Sequence, residues 1–180
     1  MPRSRGGVSD RLVLFDAPVL LTEAHDSTAF ASGEPALDDW LRQRAWNNLL
    51  LAASRTYVVC GAGSNTIAGY SALSMGQVLA SEVTGSMRRN MPKNIPAVVL
   101  GRLAIDRTWQ GKGLGRVLLA DVVRRALVAS EEISARLLIV HAISPAAEAF
   151  YLHHGFTRLP VEAPALALDL VKFRKAAASG

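Results

Sequence analysis

Hydrophobic positions recur with two different periods along the chain, and the changes of period mark its predicted elements. A short strand is predicted near residues 19–26. Residues 32–54 then show a helical period, and either Ser32 or Gly33 could start that helix. Residues 56–79 hold two β-rich runs around Gly-Ser-Asn, which predict an antiparallel hairpin. The apolar residues that share one helix face at i+4 spacing are Leu37, Leu41, Ala45 and Leu49.

The middle of the chain predicts a buried strand followed by a long helix. Residues 81–97 are polar and contain prolines, so we expect a loop or a short irregular helix there. The run AVVLGRLAID at 97–106 is almost continuously apolar, which is typical of a central strand. From Gly113 to about Ser130 the apolar residues return to a helical period.

The last third predicts a strand, a short helix and a final strand. RLLIVHAI at 136–143 is a buried strand, and a helix follows with Ser144 as its N-cap and Gly155 as its stop. A last strand is expected in 165–172. The order β, α, β-hairpin, β, α, β, α, β indicates an α/β domain with a mixed sheet. We expect a single domain over 11–175 between flexible tails at 1–10 and 176–180.

Composition and charge narrow the class of protein. The chain has 180 residues, of which 50% are hydrophobic, enough for one domain with its own core. Cys60 is the single cysteine, so no internal disulfide can form. No apolar stretch follows the basic N-terminus and none is long enough to span a bilayer, so we expect a cytoplasmic protein. The net charge of +5 favours polyanionic partners such as nucleic acid.

Three glycines lie where the central strand meets the long helix, in WQGKGLGR at 109–116. This stretch matches neither the dinucleotide pattern G-x-G-x-x-G nor the P-loop pattern. A helix N-terminus carries unpaired N–H groups and partial positive charge, and glycines let a phosphate approach the backbone closely. We therefore interpret the stretch as a pyrophosphate site, with Lys112 and Arg116 adding charge. On the glycines alone, a plain glycine-rich turn remains open.

Two motifs resemble those of the GNAT-type N-acetyltransferases. One is Gln110-x-x-Gly113-x-Gly115 after the strand VLGRLAID, and the other is AAEAFYLHHGF at 146–156. The resemblance implies acetyl-CoA as co-substrate and no metal. It also implies a mostly antiparallel mixed sheet with a central splayed strand pair and flanking helices. The cofactor-binding residues implied by it are Leu103, Ala104, Ile105, Gln110, Gly111, Lys112, Gly113, Leu114, Gly115 and Arg116.

The resemblance also places Tyr151 beside the departing sulfur, as the catalytic residue. A phenol pKa near 10 and a thiol pKa near 8.5 allow the hydroxyl to donate to the leaving thiolate. From spacing alone, Tyr151 is instead a core aromatic beside Phe150 and Phe156. We find no convincing base, because His141 is expected to be a satisfied core histidine and Asp106 to cap the next turn. An α-amino acceptor needs less help from a base than a lysine does.

A narrower resemblance covers FASGEPALDDWLRQRA at 30–45, RTYVV at 55–59 and IAGYSAL at 67–73. These stretches are similar to the acetyltransferase toxins of type II toxin–antitoxin modules. That implies acetylation of aminoacyl-tRNA, inhibition of translation, a small ribbon-helix-helix antitoxin and a homodimer, with no role for a membrane. Two alternatives remain open: acetylation of a small amine or a protein N-terminus, and a non-catalytic acetyl-CoA-binding module. The residues expected to contact tRNA are Arg88, Arg89, Lys93 and Arg102.

Overall fold

The structure is a computed structural model that describes residues 14–180. The predicted N-terminal tail at 1–10 lies outside these residues. Every predicted strand is present, and the short first strand is only two residues long. One strand, the short sixth, was not predicted because its two residues carry no periodic signal. The strands are β1 (Val19–Leu20), β2 (Arg55–Cys60), β3 (Ile67–Leu79), β4 (Asn94–Ile105), β5 (Leu137–His141), β6 (Thr157–Arg158) and β7 (Ala165–Asp169).

The three predicted helical regions all contain helix, and a further helix at the C-terminus includes residues 170–172, which were predicted to belong to the last strand. The predicted tail at 176–180 begins inside that last helix, which starts where the Asp169 side chain accepts a hydrogen bond from the Lys172 N–H. Two 3-10 turns, at 80–82 and 85–87, occupy the segment predicted as irregular. The α-helices are α1 (Pro35–Gln43), α2 (Ala45–Leu50), α3 (Leu114–Glu132), α4 (Pro145–His153) and α5 (Leu170–Ala178). None of the helices between residues 14 and 180 could span a bilayer.

The segment predicted as one helix over 32–54 is divided into α1 and α2 at Arg44, where the backbone leaves helical geometry. The helix also begins later than predicted. Ser32 directs both its N–H and its hydroxyl to the Asp38 carboxylate, at 2.9 and 2.6 Å. Gly33 has φ of 102°, a left-handed value that excludes it from the helix. Glu34 therefore becomes the N-cap residue, and Pro35 takes the first helical position.

The sheet has the order β1-β2-β3-β4-β5-β7-β6. Every pairing is antiparallel except that of β4 with β5, which are parallel. This pair is in register only over Ala97–Leu100 and Leu137–Val140. Beyond it, β4 continues to Ile105 beside β3 alone, and a bulge at Gly101 shifts the register with β3. The predicted splayed central pair is confirmed.

Apolar layers cover both faces of the sheet. On one face, Leu100 and Val140 pack with residues of α3 and α4. On the other, Ala104 packs with Trp40 of α1 and Tyr70 of β3. Tyr70 is fully buried, and its hydroxyl donates to the Leu37 carbonyl at 2.7 Å. Burial raises the pKa of this phenol far above its usual value, so it remains a donor that ties α1 to the sheet.

Candidate active site

A cleft of about 380 Å³ opens where β4 and β5 separate. Its walls come from the end of β4, the end of β5, the helix α4, the start of α3 and the segment that precedes α1. The cleft brings together seven of the residues predicted from sequence. They are Arg102, Leu103, Ala104, Ile105, Gln110, Gly115 and Tyr151.

The end of β4 presents a backbone edge to this cleft. Leu103, Ala104 and Ile105 pair with β3 on one side. On the other side, the pairing with β5 has already ended at Leu100. Backbone N–H and C=O groups on such an edge can bind an extended ligand as an added strand would.

The glycine-rich loop turns the chain from β4 into α3. Gly111 and Gly113 have φ values of 74° and 82°, which favour glycine strongly. Gly113 is the N-cap residue of α3, and its carbonyl accepts from the Val117 N–H at 3.3 Å. The N–H groups of residues 114–116 come before that bond in the chain. A helix leaves such groups without an intrahelical partner. The start of this 19-residue helix can therefore attract an anionic group.

Other members of the predicted cofactor set have distinct positions. The Lys112 ammonium lies over the Trp109 ring, 4.9 Å from its centroid. Leu114 is buried in the core as a whole residue, with 1% of its surface exposed. Arg116 is exposed in the first turn of α3. Gly111, Lys112, Gly113, Leu114 and Arg116 lie outside the cleft lining, in the loop and helix start beside it.

Gln110 has a structural role that its motif did not predict. Its Nε2 donates to the carbonyl of Ser32 at 2.9 Å and to that of Ile105 at 3.0 Å. Both amide protons are thereby committed to protein acceptors. The side chain joins the segment before α1 to the end of β4.

Asp106 strengthens the same junction and caps the next turn, as predicted. Its carboxylate accepts from the Ala31 N–H and from the N–H and hydroxyl of Thr108, at 2.9, 2.9 and 2.6 Å. Burial raises the pKa of Asp106, but these hydrogen bonds and the nearby charge of Arg107 lower it by more. The net pKa lies below its usual value, so the carboxylate is ionised at neutral pH.

Tyr151 is both a core aromatic and a cleft residue. It is 6% exposed and packs against Phe150 and Phe156, with ring centroids 5.3 and 5.5 Å away. Its hydroxyl makes no hydrogen bond to any residue between 14 and 180, so it is available to a ligand. Burial raises the pKa of Tyr151 to about 12. The phenol is therefore a weaker acid than its free value near 10 suggested, and it stays protonated throughout the neutral range.

The opposite face of the sheet supplies polar groups to the same cleft. Arg102 lies over the Trp40 ring at 4.3 Å from its centroid, on the α1 side, whereas Tyr151 packs on the α3 side. The expectation of a buried core histidine at position 141 is wrong. His141 is exposed and lines the cleft, because it follows the last residue of β5 that β4 covers.

Glu34 also lines the cleft and was missed in the sequence. An acidic residue directly before Pro35 is a common feature of helix starts, so its type and spacing gave no catalytic signal. Only the tertiary structure brings the start of α1 to the end of β4.

The basic residues predicted to contact nucleic acid do not form one patch. Arg88, Arg89 and Lys93 are exposed in the segment before β4. Arg102 lies near the other end of this strand. At about 3.3 Å per residue, the stretch of β4 from Asn94 to Arg102 puts this arginine about 25 Å from the basic segment. A ligand that contacts all four must be much larger than an acetyl acceptor such as a small amine.

Residues 53–158 match the family described as acetyltransferase (GNAT) domain. A tRNA-acetylating toxin of Mycobacterium tuberculosis (strain ATCC 25618 / H37Rv) is 43% identical over 148 residues, which cover 82% of this chain and 88% of that toxin. The structure of AtaT complexed with acetyl-methionyl-tRNAfMet has a TM-score of 0.84 and 29% identity over 90% of this chain and 98% of that one. A tyrosine-to-phenylalanine mutant of AtaT, bound to the C-terminus of the antitoxin AtaR and acetyl-CoA, has a TM-score of 0.75 and 28% identity over 90% of this chain and 97% of that one.

Proposed function

The chain belongs to the GNAT acetyltransferase family, and on that premise we propose that it is the toxin of a type II toxin–antitoxin pair. It transfers the acetyl group of acetyl-CoA to the α-amino group of aminoacyl-tRNA and so stops translation. The observation that carries the proposal is the cleft at the β4–β5 opening. An unpaired strand edge, a helix N-terminus and a protonated phenol meet there.

The residues around the cleft fit acetyl-CoA. The pyrophosphate binds the amides of 111–116, where the charges of Lys112 and Arg116 add to the helix dipole. A Cβ atom built on Gly111 or Gly113 meets nothing within 4 Å, so the approach to these amides is open. The pantetheine arm pairs with the backbone edge at Leu103–Ile105. This arrangement directs the thioester towards Tyr151.

The chemistry then needs little more than positioning. The amine attacks the thioester carbonyl, and an N–H of the β4 edge stabilises the oxyanion. As the carbon–sulfur bond breaks, the Tyr151 hydroxyl donates a hydrogen bond to the developing thiolate. Full proton transfer from a phenol of pKa about 12 to a thiolate of pKa about 8.5 is uphill by about 5 kcal/mol. Tyr151 therefore acts as a hydrogen-bond donor, and the proton that the amine releases to solvent is the one that protonates the thiolate.

The acceptor is a charged tRNA. Its α-amine, with a pKa at or below about 8, is substantially neutral at physiological pH and needs no strong base. Arg88, Arg89 and Lys93 contact tRNA phosphates, and Arg102 faces the acceptor end. The protein acts in the cytoplasm as a homodimer, and a small ribbon-helix-helix antitoxin neutralises it.

The direct test is the transfer of radiolabelled acetyl from acetyl-CoA to a pool of charged tRNAs. Deacylated tRNA is the matched control, because it has the same phosphates but no amine. We expect label on charged tRNA only, and growth arrest when the chain is induced alone in bacteria. Label that appears only on protein lysines, protein N-termini or small amines would contradict the proposal.

A further inference from the structure

Glu34 is the one carboxylate that lines the cleft among residues 14–180. It is exposed, and although it occupies the N-cap position of α1, its side chain makes no capping hydrogen bond. Within the same residues its carboxylate takes part in no ion pair or hydrogen bond. This charged group is therefore not needed to satisfy any donor of the fold.

The backbone that carries Glu34 is held firmly against the end of β4. The Ala31 N–H donates to the Asp106 carboxylate, and the Ala31 carbonyl accepts from the Arg107 N–H, both at 2.9 Å. The Gln110 amide donates to the Ser32 carbonyl. Three hydrogen bonds thus connect this segment to the residues that lead into the pyrophosphate loop. They fix the position of Glu34 relative to the strand edge that takes the pantetheine arm.

We infer that the Glu34 carboxylate accepts an N–H of the attacking α-amine and stabilises the positive charge that forms on its nitrogen. This inference rests on the proposed function and assigns the amine-recognition group of that site. The other ionisable groups that line the cleft are Arg102, His141 and Tyr151. Arg102 is a cation, and neither the neutral phenol nor the imidazole of His141 carries a negative charge. Glu34 is therefore the group that attracts an amine as it becomes cationic.

The transfer needs only these groups and water. The nitrogen lone pair forms the C–N bond while the carbonyl π pair moves to oxygen. Collapse of the intermediate breaks the C–S bond, whose electron pair leaves with sulfur beside the Tyr151 hydroxyl. The ammonium nitrogen at Glu34 releases its proton to solvent, and the thiolate takes up one proton from solvent. The products are the acetylated amine and coenzyme A thiol.

The test compares Glu34→Gln, Glu34→Asp and the matched control Glu23→Gln. Glu23 is exposed and lies outside the cleft lining. Both Gln variants remove one negative charge, so any general gain in tRNA attraction is the same in the two proteins. The measurements are kcat/KM for acetyl transfer to charged tRNA, the Kd for acetyl-CoA by calorimetry, and the Tm.

We expect Glu34→Gln to lower kcat/KM by about 10- to 100-fold, as for a lost hydrogen bond to a charged group. Glu34→Asp should retain an intermediate rate. Glu23→Gln should match the wild type, and the Kd for acetyl-CoA should be unchanged in all variants. A role limited to stabilising α1 would instead lower the Tm of Glu34→Gln without a selective loss of transfer.

Two negative outcomes are distinguishable. If the wild type acetylates charged tRNA and Glu34→Gln stays within about twofold of Glu23→Gln, the role of Glu34 is refuted while the proposed function stands. If the wild type acetylates only another amine, the proposed function fails. The same three variants, assayed on that amine, then decide whether Glu34 recognises it.

Discussion

Replacing Tyr151 by Phe removes one oxygen from the cleft and leaves the ring in place. Tyr151 is 6% exposed, and its ring packs against Phe150 and Phe156. The hydroxyl makes no hydrogen bond to another described residue, so its loss leaves no donor or acceptor of the fold unpaired. We therefore expect Tyr151→Phe to keep its Tm within about 2 °C of the wild type.

The catalytic effect should be large because the lost group faces a developing anion. A hydrogen bond to a charged group contributes about 1.5–3 kcal/mol, which corresponds to a rate factor of about 10–150. Burial excludes competing water, so we expect the upper end, about 100-fold in kcat. Acetyl-CoA affinity should not change, because the hydroxyl interacts with sulfur mainly as it leaves.

The assay is single-turnover acetyl transfer to charged tRNA between pH 6 and pH 9. Because burial raises the pKa of Tyr151 to about 12, the phenol stays protonated over this range. The pH–rate profiles of wild type and Tyr151→Phe should therefore have the same shape and differ only in height. A limb of the wild-type profile that disappears in the variant would show that the phenol titrates during the reaction and would refute this reasoning. Equal rates would remove Tyr151 from the mechanism.

Three further predictions concern the pyrophosphate loop, its junction and the basic segment. Gly115→Leu should weaken acetyl-CoA binding about 10- to 100-fold by calorimetry, because crowding a packed site costs about 1–3 kcal/mol. A Cβ atom at this position is already in van der Waals contact with the Phe150 ring, at 3.8 Å, so the larger side chain adds atoms beyond that contact. Asp106→Asn should lower the free energy of unfolding at pH 7 by about 1–3 kcal/mol in urea titrations. Since its folded pKa is lowered, this stabilisation is fully present above the unfolded pKa near 3.9 and is lost as the pH falls from there through the folded pKa. Arg88→Ala combined with Arg89→Ala should weaken tRNA binding and reduce the slope of log K against log salt by about 2.

Each of these predictions has its own control. Gly115→Ala, whose added methyl group only touches the ring, should bind acetyl-CoA normally, and equal losses in the Ala and Leu variants would contradict the crowding argument. For Asp106→Asn, a difference from the wild type that persists unchanged at pH 2 would show that the charge is not responsible. Lys175→Ala, on α5, should leave the salt slope unchanged. A slope that is equally unchanged in the double arginine variant would exclude the segment before β4 from the tRNA interface.

The period of the hydrophobic residues was sufficient to predict the elements that are long and continuous. The run at 97–106 became β4, extended to Asn94, and the helical period after Gly113 became α3. The helix α5 was missed because its first residues continue the apolar run of β7, so the period does not change there. The break at Arg44 between α1 and α2 left no trace in the i+4 spacing of the apolar residues.

Only part of the candidate site could likewise be predicted from the sequence. Backbone features could be predicted from the sequence. The glycines before α3 indicate a turn with positive φ values, which favour glycine, and a helix N-terminus that presents N–H groups. The environment of a side chain could not be predicted in this way. Tyr151 has a raised pKa, and Gln110 is bound to Ser32 and Ile105, because residues distant in sequence surround them.

The sequence by itself determined the positions of the long strands and helices, the glycine-rich turn into α3 and the family, since these depend on local periodicity and on motifs that are contiguous in the chain. Only the tertiary structure decided that β4 and β5 separate after Leu100, which exposes His141 and opens the cleft. It also decided that Glu34 reaches this cleft while the basic residues before β4 lie far from it. Strand register and the packing of α1 are sums of many weak contacts between distant segments, and no single stretch of sequence contains them.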